Sequence, residues 1–157
     1  MLVSQSGEKK TGAVELKVIL CPVDFSSPSR KAAGYVRTLA ERFEAEIVVV
    51  HVTTSLADYL DFQARNDRLS EINEDTADDV VRELRLFVEE QFSGLKVTAK
   101  VIKGDVAEEI LKMAARFEAG LIVMGTNGRK GLDRLVFGSV AESIVKESPV
   151  PVMTVRP

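Results

Sequence analysis

Short apolar runs alternating with segments of helical period constrain this chain more than any other feature. Four runs are β-branched and nearly continuous: Lys17–Val23 (KVILCPV), Glu46–Val52 (EIVVVHV), Leu121–Met124 (LIVM) and Val150–Val155 (VPVMTV). Such runs suit strands of a parallel sheet covered on both faces. A fifth, Lys96–Ile102 (KVTAKVI), alternates instead, with Val97, Ala99 and Val101 on one face. That pattern predicts an edge strand with one wetter side.

The segments between the runs repeat at helical spacing. Ala32, Val36, Leu39 and Phe43 form one stripe within Ser29–Phe43; Ala77, Val80, Leu84, Phe87 and Val88 form another, stopped by Gly94. Asp105 is a good N-cap for a third helix with the stripe Val106, Ile110, Ala114 and Phe117, and Ser139–Ser148 reads as a fourth, ended by Pro149. Thr53–Ser70 carries no clear period and admits three readings: a flexible loop, a short helix or the start of the second helix.

With 157 residues there is room for one domain. The order β-α-β-α-β-α-β-α-β predicts an α/β fold: an open five-stranded parallel sheet, Rossmann-like, with helices on both faces and right-handed crossovers. Residues 1–15 read as a flexible, solvated leader and residues 16–157 as the domain. A formal net charge of −3 argues against neutralisation of a nucleic-acid backbone as the main task. No stretch reaches the length of a signal peptide core or a bilayer span, so the expectation is a cytoplasmic protein with no membrane partner. Cys21 is the only cysteine, inside an apolar run, and reads as a small buried side chain.

In an open parallel sheet, ligands bind beyond the carboxyl ends of the strands, where strand order reverses. After the first run come Pro22, Val23, Asp24, Phe25 and Ser26; after the second, His51 and Val52. After the fourth lies Gly125-Thr126-Asn127-Gly128-Arg129-Lys130-Gly131, leading to Gly138-Ser139. Gly125, Gly128, Gly131 and Gly138 are four of the chain's ten glycines. Glycines let backbone N–H groups converge on an anion, and the helix opening at Ser139 adds unpaired amides and a positive dipole end. Arg129, Lys130 and Arg134 add positive charge. The segment is neither a Walker A loop nor a first-strand dinucleotide fingerprint. Asp24 admits a ribose acceptor, a magnesium ligand or a helix cap as roles, although Ser26 and Ser27 also suit the cap. His51, the only histidine, reads as structural, which excludes a histidine-based metal cluster.

The run Met124-Gly125-Thr126-Asn127-Gly128, then nine residues, then Gly138-Ser139, resembles the Gly-x2-Gly-x9-Gly-[Ser/Thr] signature of the nucleotide-binding universal stress proteins. The resemblance extends from Lys17 to Val155. It includes Val18–Ser26, Val50-His51-Val52, Gly104-Asp105 with Glu108-Glu109-Ile110, Leu121–Gly125 and Ser148–Val152. It implies the adenine nucleotide alpha hydrolase-like version of the Rossmann-like fold. It also implies that Asp24 bonds ribose or adenine and that Val52 meets adenine through its main chain. Met124 and Gly125 would line the floor, and Gly128, Gly138, Ser139 and Val140 would hold phosphates. With Pro22, Val23, Thr126 and Arg129 these make the expected nucleotide-binding set. Two positions depart from the family pattern: Asn127 stands where many members have histidine, and Val106 where many have proline.

The implied function is an ATP-binding stress-response or regulatory protein, with ATP (or ADP or AMP) ordering the glycine-rich loop. Magnesium would arrive with the phosphates, with no metal ligand and no catalytic residue from the protein. A slow ATPase or self-phosphorylating protein, with Ser139 or Thr126 as acceptor, is one alternative. A nucleotide-free homodimeric interaction module is another. A homodimer through Val150–Val155 is expected, because a terminal strand leaves an edge open.

Overall fold

The computed structural model describes residues 12, 14–53, 75–126 and 138–157. The sequence expectations for the leader, for most of Thr53–Ser70, and for Gly128 and Arg129 fall largely or wholly outside them. Five strands, β1 (Val18–Pro22), β2 (Glu46–Thr53), β3 (Val97–Lys103), β4 (Leu121–Gly125) and β5 (Val152–Val155), form one sheet in the order β3-β2-β1-β4-β5. Every pairing is parallel. The helices are α1 (Ser27–Phe43), α2 (Asp75–Phe92), α3 (Val106–Arg116) and α4 (Ser139–Glu147). This is the doubly covered parallel α/β fold that the alternation predicts.

The two-residue period of the strands splits the core in two. Ile19, Cys21, Ile47, Val49, Val123 and Val155 face α1 and α2, where Ala32, Val36, Leu84, Phe87 and Phe92 meet them. Leu20, Val48, Val50, Ile122 and Met124 face the other way, against Ile110, Met113 and Ala114 of α3 and Ala141 and Ile144 of α4. Full burial of side chains such as Phe87 and Phe92 contributes about 1.5–3 kcal/mol each.

Helix ends follow local chemistry. Ser26 caps α1, its Oγ accepting from Ser29 N at 3.3 Å, and Asp105 caps α3, accepting from Glu108 N at 3.0 Å. Gly94, with φ +82°, follows α2 and turns the chain toward β3. The Ser148 hydroxyl donates to the Val150 carbonyl at 2.7 Å and accepts from its N–H at 3.1 Å. That turn holds Val150 out of β5, which starts at Val152 rather than at Val150.

Three packing expectations are corrected. Phe43 is exposed, and Ala40 closes the buried face of α1. Phe92 and Met113 join the cores although neither lies on its helix's expected stripe. β3 is an edge strand as expected, but Ala99 and Val101 on its alternating face are exposed; Val97 packs on one core and Ile102 on the other. Among the described residues no helix is long and apolar enough to cross a membrane.

Candidate functional site

The reversal of strand order lies between β1 and β4. β1 stays paired with β2 as far as Pro22, but with β4 only as far as Leu20. Beyond Leu20 the paired register of β1 and β4 ends, so their carboxyl ends frame a crevice at the position where open α/β sheets bind ligands.

On the β1 side, Pro22 and Val23 are buried and Asp24 is half-buried. Asp24 Oδ1 accepts from Ser26 N at 3.0 Å, from Ser29 Oγ at 2.6 Å and from Ser26 Oγ. Ser29, only 4% exposed, also accepts from Asp24 N at 3.1 Å. The Asp24 carboxylate is therefore fixed in direction by the first turn of α1, while Ser26 performs the capping itself. From sequence, Ser29 marks only the start of the first helical segment. Its signal was a hydroxyl on an otherwise apolar helix face, five residues after an aspartate.

On the β2 side, backbone parity decides what Val52 offers. Glu46 N donates to Lys17 O and Val23 N to Val50 O at 2.9 Å, so even-numbered residues of β2 point toward β1. Ile47 N donates to Lys96 O and Gly104 N to Thr53 O, so odd-numbered ones point toward β3. The Val52 N–H and C=O thus point to the β1 side, past the end of β1. His51 fits its structural reading: Nδ1 lies 2.9 Å from the Val23 carbonyl, and the ring stacks on Phe25 at 4.6 Å between centroids.

On the β4 side, Met124 is buried in the core beneath the sheet's second face, and Thr126 is 5% exposed. Thr126 N donates to Val155 O at 3.0 Å, and Gly138 N donates to Thr126 O at 2.9 Å. The second bond closes the glycine-rich segment at its base and sets the start of α4 beside the end of β4. Ser139 is exposed there and Val140 half-buried on the second core. The Gly138 cap position makes no side-chain cap bond. Gly125 has a structural reason of its own: a Cβ would lie 2.8 Å from Pro28 Cβ and 3.1 Å from the Pro28 carbonyl carbon. Among the described residues no cluster of three or more histidine, cysteine, aspartate or glutamate side chains could hold a metal ion.

The crevice thus collects a fixed carboxylate, a strand-end peptide group and a helix start, drawn from β1, β2 and the β4–α4 connection. That set suits a ligand with a polar ring or sugar at one end and an anion at the other.

Residues 15–156 match the family model of the Universal stress protein family. Universal stress protein MJ0531 of Methanocaldococcus jannaschii is 32% identical over 142 residues, covering 89% of this chain and 82% of that protein. A universal stress protein of Thermus aquaticus is 33% identical over 141 residues, covering 89% and 98%. The solved structure of MJ0577, also from Methanocaldococcus jannaschii, superposes with a TM-score of 0.76 at 26% identity, over 92% of this chain and 98% of that one. The universal stress protein of Archaeoglobus fulgidus solved in complex with dAMP shares the fold, with a TM-score of 0.61 at 16% identity, over 92% of this chain and 100% of that one. Sequence pattern, sheet order and these likenesses agree: the chain belongs to the universal stress protein family.

Proposed function

We propose that this chain binds an adenine nucleotide, ATP in the first instance, and acts as a stress-response or regulatory protein through that ligand. The observation that carries the reading is the Gly138 N to Thr126 O bond, because it brings the two ends of the glycine-rich segment to the strand-reversal crevice. In this reading Asp24 takes the ribose or the base, and the Val52 main chain meets the adenine. Gly128, Gly138, Ser139 and Val140 take the phosphates, Met124 and Gly125 line the floor, and Pro22, Val23, Thr126 and Arg129 complete the nucleotide-binding set. Magnesium would be carried by the phosphates rather than by protein side chains. The dAMP complex of the Archaeoglobus fulgidus relative supports the choice of an adenine nucleotide.

The test is a thermal shift with ATP and magnesium, paired with calorimetry. Ligand at a hundredfold excess over Kd stabilises the folded state by about 2.7 kcal/mol. No shift, with no heat of binding at millimolar nucleotide, would sink the reading.

The same reading includes a homodimer through β5. Pro151 O accepts from Ile122 of β4 and Val155 O from Thr126 just beyond it, so Val152 and Thr154 direct their N–H and C=O groups outward. β5 carries no charge along Val152–Val155, whereas the opposite edge strand, β3, carries Lys100 and Lys103, both exposed. Charged edges resist pairing and uncharged ones invite it.

A further inference from the structure

We infer that His51 is a positioning residue that ends the β1–β2 ladder one rung early and so keeps the Val52 peptide group available to a bound base. This rests on the nucleotide reading above and names the device that preserves its base contact.

In a parallel pair, the rung after Val23 N to Val50 O would place Val52 N on the Val23 carbonyl. That carbonyl accepts from His51 Nδ1 at 2.9 Å instead. A carbonyl only accepts, so Nδ1 carries the proton in this contact. Among the described residues no backbone bond joins Val52 N to Val23 O.

The chain around the histidine reinforces the break. Phe25, at φ +63°, leaves strand geometry at the residue that would form the following rung, and among the described residues no backbone bond from it to the Val52 carbonyl joins the two strands. It is 8% exposed, stacks face-on with His51 at an interplanar angle of 27°, and meets Phe87 edge-on at 5.9 Å. His51 therefore bonds the residue before Asp24 and stacks on the residue after it, while standing next to Val52 in its own strand. One side chain registers both nucleoside-facing segments. The pair left off the ladder, an N–H donor and a C=O acceptor on one residue, complements adenine, which offers a ring-nitrogen acceptor beside an amino donor. Guanine reverses both at that edge, so an intact Val52 pair discriminates between them.

Two variants separate the bond from the stack. His51→Phe keeps a ring on Phe25 and removes the donor; His51→Asn keeps an amide donor for Val23 O and removes the ring. Without nucleotide, residue-resolved amide exchange should show Val52 N–H exchanging much faster than Val50 N–H in the wild type. It should slow in His51→Phe as the extra rung forms, and remain fast in His51→Asn. With nucleotide, His51→Phe should weaken ATP binding about tenfold, the effect of one hydrogen bond of roughly 1.4 kcal/mol. It should also narrow the preference for ATP over GTP and leave inorganic triphosphate binding unchanged. His51→Asn should restore the preference. A wild-type Val52 amide as protected as that of Val50 overturns the inference. So does an ATP-over-GTP preference unchanged in His51→Phe, which would leave the nucleotide reading standing. A wild type that binds no nucleotide overturns that reading instead, and the exchange measurement still decides whether His51 ends the ladder.

Discussion

Gly138 and Thr126 are joined by a single backbone hydrogen bond of 2.9 Å, and Thr126 in turn hangs from Val155 by another of 3.0 Å. The edge strand β5, the end of β4 and the start of α4 are thus connected by consecutive peptide groups. The base of the glycine-rich segment is fixed by the sheet itself.

Dimerisation can be tested at one outward amide. Thr154→Pro removes an N–H that points away from β4 and leaves the Val155 and Pro151 bonds to β4 in place. We expect sedimentation to show a dimer for the wild type at micromolar concentration and a monomer for Thr154→Pro, with Thr154→Ala still dimeric. A wild-type monomer would end the β5 reading.

Two glycines should respond oppositely to alanine. At Gly125 a Cβ would lie 2.8 Å from Pro28 Cβ with the Pro28 backbone behind it, so Gly125→Ala should lower stability by about 1–3 kcal/mol. Gly34, exposed in α1, has nothing within 4 Å of a new Cβ, so Gly34→Ala should raise stability by about 1 kcal/mol through helix propensity alone. Urea denaturation of both proteins checks the pair, and equal effects would contradict the packing argument.

The thiol of Cys21 should be silent in the native protein. Burial pushes its pKa up to about 12, and the reactive species is the thiolate. Labelling by a thiol reagent at pH 8 should proceed only as fast as the protein unfolds, and rapidly in denaturant. Fast labelling without denaturant would show that the β1 core opens locally.

Glu46 links the start of β2 to β3 and should give a pH signature. A hydrogen bond from Lys96 at 2.7 Å, then one from Thr98 at 3.0 Å, holds its carboxyl below the usual range. A depressed folded-state value means the stabilisation is present above the unfolded carboxylate range, and is lost as pH falls through the folded-state value. Glu46→Gln should therefore be less stable than the wild type at neutral pH, with the gap closing in acid. Chemical denaturation at several pH values measures it, and a constant gap would refute the assignment.

The fold was readable because its runs are buried on both faces, which leaves a near-continuous apolar signature in β1, β2 and β4. Period alone could not say where a stripe leaves the sheet. Phe43 keeps helical spacing but is exposed, so Ala40 takes the last buried place on α1. Ala99 and Val101 alternate correctly, yet the edge strand carrying them is covered less than the pattern implies. In the candidate site, the strand ends pointed from sequence to the β1–β4 reversal, while the glycine-rich segment lies largely outside the described residues. The Ser29 contact with Asp24 and the Val23 contact with His51 were not legible in the sequence. Each joins elements through a direction in space, and a one-dimensional pattern does not encode the parity that puts Val52 on the β1 side.

The bond between Gly138 and Thr126 uses peptide atoms at both ends, as does the one between Thr126 and Val155. Any residue but proline can donate at positions 138 and 126, and any residue at all can accept at positions 126 and 155. This footing is inherited through the course of the main chain rather than through residue identity. Side-chain substitutions at positions 126, 138 and 155 can therefore leave this pair of main-chain bonds in place.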